Sequence, residues 1–206
     1  IEQKLQEARL ELALHQIKPH FLQNALMSIK VLCRTRPKEA EQAVYDFAVF
    51  LRGNMNALES AEMIPFREEC KTIERYLHIE KIRFGERLQV QWDLQEEKFR
   101  IPPLTIQPLV ENAVCHGICQ KMEGGTVQIR SFRKNGEICV QILDDGAGFD
   151  TEKLKDADGI AIRNLKLRLK EFLNADLEIE SRKGEGCRQT IHIPWEETDD
   201  ENYSDR

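Results

Sequence analysis

A chain of 206 residues, 41% hydrophobic and 32% charged, is apolar enough to bury a core in one large domain or two small ones, which excludes a disordered polymer. Its formal net charge of −6 lacks the clustered positive face that nucleic acid requires, so no nucleic-acid partner is expected. The six cysteines are scattered without a C-x-x-C pair, and Cys115 and Cys119 lack the second pair of a zinc site, so thiols in a reducing compartment are expected.

Ile1 falls inside a helical pattern already under way, without an initiator Met, so the chain reads as a piece of a longer protein. No apolar run reaches the ~18 to 20 residues of a membrane span, so any membrane attachment is expected only through a missing N-terminal region. From Ile1 to about Arg34, Ile1, Leu5, Ala8, Leu12 and His15 recur at alternating spacings of four and three, a coiled-coil-like stripe. Arg36-Pro37-Lys38 breaks it. A second amphipathic helix follows, from about Glu39 to Leu58, with Val44, Phe47, Leu51 and Met55 on one face. Two helices joined by a short turn make a hairpin, which buries too little surface alone and is expected to pair with a second copy as a four-helix bundle. A simple helical spacer is the plainer reading of the same pattern.

Ser60 to Pro65 reads as a linker and Phe66 to about Arg83 as a third helix. Leu88 to Leu94 alternates like a strand, and Pro102-Pro103 precedes a helix from about Leu104 to Ile118. Strands are expected over Thr126 to Arg133 and Glu137 to Leu143, joined by an Asn135-Gly136 turn. A helix from about Ile162 to Leu173 points Ile162, Leu165, Leu169 and Phe172 inward, and strands Asp176 to Arg182 and Arg188 to Ile193 flank Gly184-Glu185-Gly186. Helices mixed with antiparallel strands give an α+β fold, a helical hairpin followed by a two-layer sandwich. The expected domains are 1–60, 61–195 and an acidic disordered tail, 196–206.

Four segments carry the chemistry. In Gln107-Pro-Leu-Val-Glu111-Asn112-Ala-Val-Cys-His116-Gly117, Asn112 and His116 are four apart and share a helix face. Asn112 offers a neutral oxygen to Mg²⁺, an ion that takes few protein ligands and keeps its waters and phosphate oxygens. Asp144-Asp145-Gly146-Ala147-Gly148 follows a strand, where a carboxylate can accept an exocyclic amine and glycines admit a ligand to the backbone. Gly159 enters a helix whose N-terminus can receive phosphate, with Asn164 and Arg168 beyond it, and Gly184-Glu-Gly186 closes the set. Singly, each has an ordinary explanation: a polar helix face, an Asp-Gly turn, a solvated basic helix face, a hairpin turn.

In this order, over roughly Phe66 to Trp195, they resemble the Bergerat-type ATP-binding domain of the gyrase, Hsp90, histidine kinase and MutL superfamily. The resemblance implies ATP and Mg²⁺ as cofactors. It assigns the metal to Asn112, adenine to Asp144, and the glycine boxes to Gly146, Gly148, Gly159, Gly184 and Gly186. Beside that resemblance the residues themselves add His116, Gly117, Asn164 and Arg168 as candidate nucleotide contacts. Ala161 stands where the second glycine box has Gly, and Cys187 where the last box ends in Thr.

His15-Gln-Ile-Lys-Pro19-His20-Phe21-Leu22-Gln23-Asn24 selects among the relatives. Pro19 removes an N–H and crowds the carbonyl of His15, a kink that would present His20, with Asn24 one turn on over the same face. The segment resembles the Pro-His-Phe-Leu-x-Asn signature of the autolysin-sensor and YesM-like (LytS-type) histidine kinases. Arg52, Tyr76, Ile79-Glu80 and Arg83-Phe84 fit that branch's spacing, with Lys18 and Gln23 as departures. The resemblance implies autophosphorylation of His20, and Asn24, by its spacing, can hydrogen-bond the imidazole or an incoming phosphoryl group. Phe21 occupies the position next to the phosphoacceptor where many relatives carry an acid. A base, if one is needed, must therefore come from elsewhere, and Glu111 is the candidate by its place beside Asn112. It also implies a homodimer, phosphotransfer to an aspartate of a response regulator receiver domain, and residence as the cytoplasmic part of a membrane sensor. The alternatives are an ATPase or serine protein kinase of the same superfamily and a degenerate signalling scaffold.

Overall fold

The computed structural model describes residues 19–59, 62–150 and 160–195. Cα packing divides the chain into two units: one takes the residues up to Glu62 together with Cys70–Gly85, the other Met63–Glu69 and everything from Glu86 on.

The first unit is built on the hairpin of α1 (Pro19–Thr35) and α2 (Pro37–Glu59), to which most of α3 (Phe66–Phe84) adds its buried face. The stripe expected over residues 1–18 and the kink between His15 and Pro19 lie outside the described residues. Phe21 is the anchor of this unit. It is 6% exposed, and its ring lies 5.1 Å from Tyr76, 5.3 Å from Phe50 and 6.3 Å from Phe47. Ile29, Leu32, Ala40 and Ala43 extend the core, with Phe47 and Ile82 packed on it. Asp46 is buried because two neighbours satisfy it: Gln42 Nε2 donates at 3.1 Å, and His78 Nδ1 lies 2.6 Å away.

The buried stripe of α2 is not the one expected. Ala40, Ala43, Asp46, Phe50 and Asn54 face inward, whereas Val44 and Met55 are exposed and Phe47 and Leu51 half-buried. An inward Asp and Asn hide this stripe from a hydrophobic count. Met27 and Val31 of α1 are also exposed, so a band of apolar side chains is left unburied on the hairpin.

The second unit is a five-stranded sheet in the order β2 (Leu88–Leu94), β4 (Gly125–Lys134), β5 (Glu137–Asp144), β7 (Gly186–Pro194) and β6 (Asp176–Arg182). Ile138, Val140, Ile142, Ile191 and Ile193 are buried, with Leu109, Val110, Val114, Leu165 and Leu169 of the helical layer, α4 (Gln107–Asn112) and α5 (Ile160–Leu173). This bears out the α+β class with two corrections of detail. β2 pairs with β4 in parallel, because the segment between them crosses over with a helix and returns the chain in the same direction. Phe172 is exposed rather than inward. A short strand, β1 (Ile64–Pro65), pairs with β3 (Arg100–Ile101) inside the expected linker. Asn135 and Gly136 both have positive φ, the primed turn expected between β4 and β5. No helix of the described residues is long and apolar enough to cross a membrane.

Phe21→Ala removes a side chain touching three other aromatic rings, so it should cost the first unit about 3–5 kcal/mol, read as an earlier chemical denaturation midpoint.

Candidate functional site: a cavity beside the end of β5

Asp144 ends β5 with 7% of its surface exposed. Its Oδ1 accepts the Gly146 N–H at 3.0 Å. Burial raises its pKa to about 6, with that N–H opposing and Asp145 reinforcing the shift. The glycines around it are required by backbone and carboxylate rather than by open space. A Cβ on Gly117 would strike the Asp144 carboxylate, one on Gly146 the Gly117 backbone, and one on Gly186 the Asp144 carbonyl. Gly148, at φ +57°, has no room beside the Arg182 carbonyl, and the Ala147 N–H donates to the Gly117 carbonyl at 3.1 Å. The sequence-based reading of glycines as room for a ligand is therefore corrected for these positions: their missing side chains let the chain pack on itself. Gly184 differs, being a hairpin-turn residue at φ +86° whose added Cβ would meet nothing. Its N–H donates to the Ala147 carbonyl at 2.7 Å, tying the hairpin to the Asp-Gly loop.

Opposite Asp144 stands the segment carrying Asn112. The helix expected over 104–118 has a regular stretch only over Gln107–Asn112. It widens to a π-type turn at Ala113–Gly117 and tightens at Ile118–Gln120. Such widened turns are frequent at functional sites. Asn112, His116, Gly117, Asp144 and Gly148 line one cavity of about 440 Å³, together with Ala113, Phe149, Ile162, Ile179, Cys187 and Gln189. Of the apolar residues in that set, the sequence expects Ile162 only to face inward and marks Cys187 only as a departure from Thr, while nothing in it separates Ala113, Phe149 and Ile179 from core. Cys187 has its thiol pushed up to about 12, by burial and then by the Asp144 charge, so it lines the cavity as a neutral group.

Other expected residues lie elsewhere. Gly159 is outside the described residues, as is most of the stretch between Gly148 and that glycine, and Ala161 is the second residue of α5. Asn164 is an exposed residue of α5. Glu111 accepts the Gln107 amide at 2.9 Å. Arg168 donates to the Leu104 carbonyl rather than lining the cavity.

Arg168 leads to a residue that the sequence did not suggest. Glu69, 2% exposed, accepts the N–H of Ile106 at 2.5 Å and of Gln107 at 3.1 Å on one oxygen, capping the helix that carries Asn112. Burial raises its pKa to about 7, opposed by those two N–H groups and then by Arg168. Leu104, at φ +57°, holds the strained turn between them. In sequence Glu69 is one more acid at a helix start.

His20, in the other unit, is exposed on the first turn of α1. The Asn24 side-chain nitrogen lies 2.9 Å from its Nδ1 and 3.3 Å from its Nε2, so Asn24 can govern which ring nitrogen carries the proton.

Residues 8–88 match the family model of histidine kinases, and residues 103–197 that of histidine kinase-, DNA gyrase B- and HSP90-like ATPases. The chain belongs to the histidine kinase family. It is 36% identical over 203 residues to the uncharacterized YwpD of Bacillus subtilis (strain 168), covering 94% of this chain and 73% of that protein. To sensor protein LytS of Bacillus cereus it is 31% identical over 204 residues, 92% of this chain. The chain spans only about a third of LytS, 34% of its length. Among solved structures, the histidine kinase domain of a blue-light activated histidine kinase from Erythrobacter litoralis EL346 shares the fold. Its TM-score is 0.53 at 16% identity, covering 86% of this chain and 96% of that one. The family's two parts coincide with the two places just described, the histidine helix and the cavity.

Two titrations test the electrostatics. Glu69 has a folded pKa above its ordinary value, so its contribution to stability is full below about pH 4.5 and is lost as pH rises through about 7. Glu69→Gln keeps the oxygen acceptor but cannot ionise. It should flatten that decline by an amount on the order of 3 kcal/mol in denaturation profiles across this window. Asp144 likewise gains its charge only above about pH 6, so any ligand that gives a hydrogen to this carboxylate should bind less tightly as pH drops through that value. ATP titrated by calorimetry into the wild type and into Asp144→Asn, expected to bind roughly 10- to 100-fold more weakly at neutral pH, checks whether nucleotide is such a ligand.

Proposed function

We propose that this chain is the kinase core of a sensor histidine kinase, in which residues 61–195 bind ATP with Mg²⁺ and residues 1–60 carry His20 as phosphoacceptor and form the dimer. One observation supports this most: Asp144, Asn112, His116, Gly117 and Gly148 meet in one cavity within the ATPase-type fold. Asp144 would receive the exocyclic amine of adenine on the oxygen opposite the one held by the Gly146 N–H. Asn112 is half-buried on the cavity wall, so its oxygen can serve an ion whose other ligands are phosphate and water. When bound with the nucleotide, Mg²⁺ supplies neutralisation of phosphate charge.

Phosphoryl transfer asks chiefly for positioning. The ring nitrogen of His20 that keeps its lone pair attacks the γ-phosphorus. The N–P bond forms as the bond to the β-phosphate oxygen breaks, ADP leaves, and the imidazole proton passes to solvent or to Glu111. Asn24, against Nδ1, sets the tautomer. Phe21 occupies the position after the phosphoacceptor and is buried in the aromatic core, so it supplies no base. Gly159, Gly184 and Asn164 would extend the nucleotide site, whereas Gly186 is held against the Asp144 carbonyl and Arg168 by the Leu104 carbonyl. The exposed band of Met27, Val31, Val44 and Met55 fits a second copy of the chain packed as a four-helix bundle. From His20 the phosphoryl group would pass to an aspartate of a response regulator. The chain would be the cytoplasmic part of a membrane sensor, the remainder lying in the length that LytS has beyond it.

Incubation with γ-labelled ATP tests the reading. Acid-labile, alkali-stable label should appear on the wild type and vanish in His20→Ala. Asn24→Ala should still bind ATP but label roughly 10²-fold more slowly, the scale of a lost positioning contact. Acid-stable label, or steady ATP turnover without label, would instead identify a serine kinase or an ATPase.

A further inference from the structure

The face of the sheet opposite the buried Ile138, Val140, Ile191 and Ile193 carries a second cluster of reactive side chains, outside the cavity. Cys139 of β5 and His192 of β7 are direct partners across the antiparallel pair, and Glu137 stands two residues before Cys139 on the same face. His192 Nδ1 lies 2.9 Å from a Glu137 oxygen and 3.9 Å from Cys139 Sγ, and the ligand atoms of all three fall within 4.8 Å of one another. An ion with bonds of about 2.3 Å to sulfur and about 2.0–2.1 Å to nitrogen and oxygen holds its ligand atoms roughly 3.3–3.7 Å apart. Small side-chain adjustments bring the three to that spacing.

The other side of the imidazole carries an independent observation. His192 Nε2 lies 3.5 Å from an oxygen of Glu178 on β6. With an ion in place of the proton that Nδ1 shares with Glu137, Glu178 can accept the Nε2–H, the arrangement that orients a metal-bound histidine. Cys139 is 3% exposed, and its thiol is held above its ordinary pKa by burial and then by the Glu137 charge. A cation placed between them reverses that preference, and the thiol proton is released on binding.

We propose that Glu137, Cys139 and His192 form a binding site for a Zn²⁺-class divalent transition ion, with Glu178 as a positioning residue on His192. Thiolate, imidazole and carboxylate together select such an ion over Mg²⁺ or Ca²⁺, which take oxygen ligands. Three protein ligands leave a fourth position for water or an exchangeable ligand. The site would clamp β5 to β7 about 17 Å along β5 from Asp144, five residues at strand spacing.

The alternative for the same atoms is an imidazolium held between two carboxylates, and one experiment separates them. The reduced 206-residue chain, stripped with chelator, is titrated with Co²⁺ and then with Zn²⁺. One equivalent of Co²⁺ should give tetrahedral visible bands and a near-ultraviolet thiolate charge-transfer band, with release of a proton, and Zn²⁺ should abolish both bands. Cys139→Ser and His192→Gln should lose the charge-transfer band, and the milder surface change Glu137→Gln should weaken binding without unfolding the chain. Glu178→Gln should retain the bands with about 10- to 100-fold weaker affinity. No band in the wild type overturns the proposal. So does a band that survives in folded Cys139→Ser or His192→Gln, since the ion then sits on other thiols such as Cys115 and Cys119.

Discussion

A carboxylate buried at the end of a strand constrains the whole ATP-binding unit. An ionised group withdrawn from water must be met by donors at close range, and Asp144 finds one in the main chain. The backbone therefore closes around it. Gly146 supplies an N–H, Gly117 passes against the carboxylate, and Gly186 crosses the Asp144 carbonyl without a Cβ to spare. The Ala147 N–H then reaches Gly117, and the 184–186 hairpin is tied to Ala147. Three segments far apart in sequence are drawn to one point by one group.

This explains which parts of the molecule can be read from the chain. Element positions were legible because the periods are clean: α3 and β6 fall where patterning puts them, and Asn135-Gly136 turns as its residues demand. The roles of the glycines were less so, since a missing side chain looks the same whether it admits a ligand or a neighbouring backbone. The parallel pairing of β2 with β4 depends on a crossover that no local pattern encodes. The true inner face of α2 escaped because a buried Asp46 and Asn54 interrupt it: Asn54 is satisfied by the Phe50 carbonyl one turn back, and Asp46 by Gln42 and by His78, a partner 32 residues away. Glu69 escaped for the same reason, its significance lying entirely in two N–H groups nearly forty residues away.

The histidine helix divides labour between adjacent residues. Successive positions on a helix point about 100° apart, so His20 can stand in solvent while Phe21 is sunk among Phe47, Phe50 and Tyr76. The aromatic anchor fixes the first described turn of α1, and Asn24 braces the imidazole from the next turn. Change at His20 is then separable from the stability of the unit, because the exposed imidazole lies outside the core.

The widened turn at Ala113–Gly117 has a consequence for how such a sequence can change length. A π-type turn holds one residue more than regular helix, and deleting that residue would let the segment settle into ordinary pitch at no cost in backbone hydrogen bonding. Because the wide turn absorbs its extra residue locally, the segment on either side would keep its facing, and the change would fall on the five residues themselves. Those five include His116 and Gly117, which line the cavity, so the turn gives two consecutive positions to one site without re-aiming the rest of the segment.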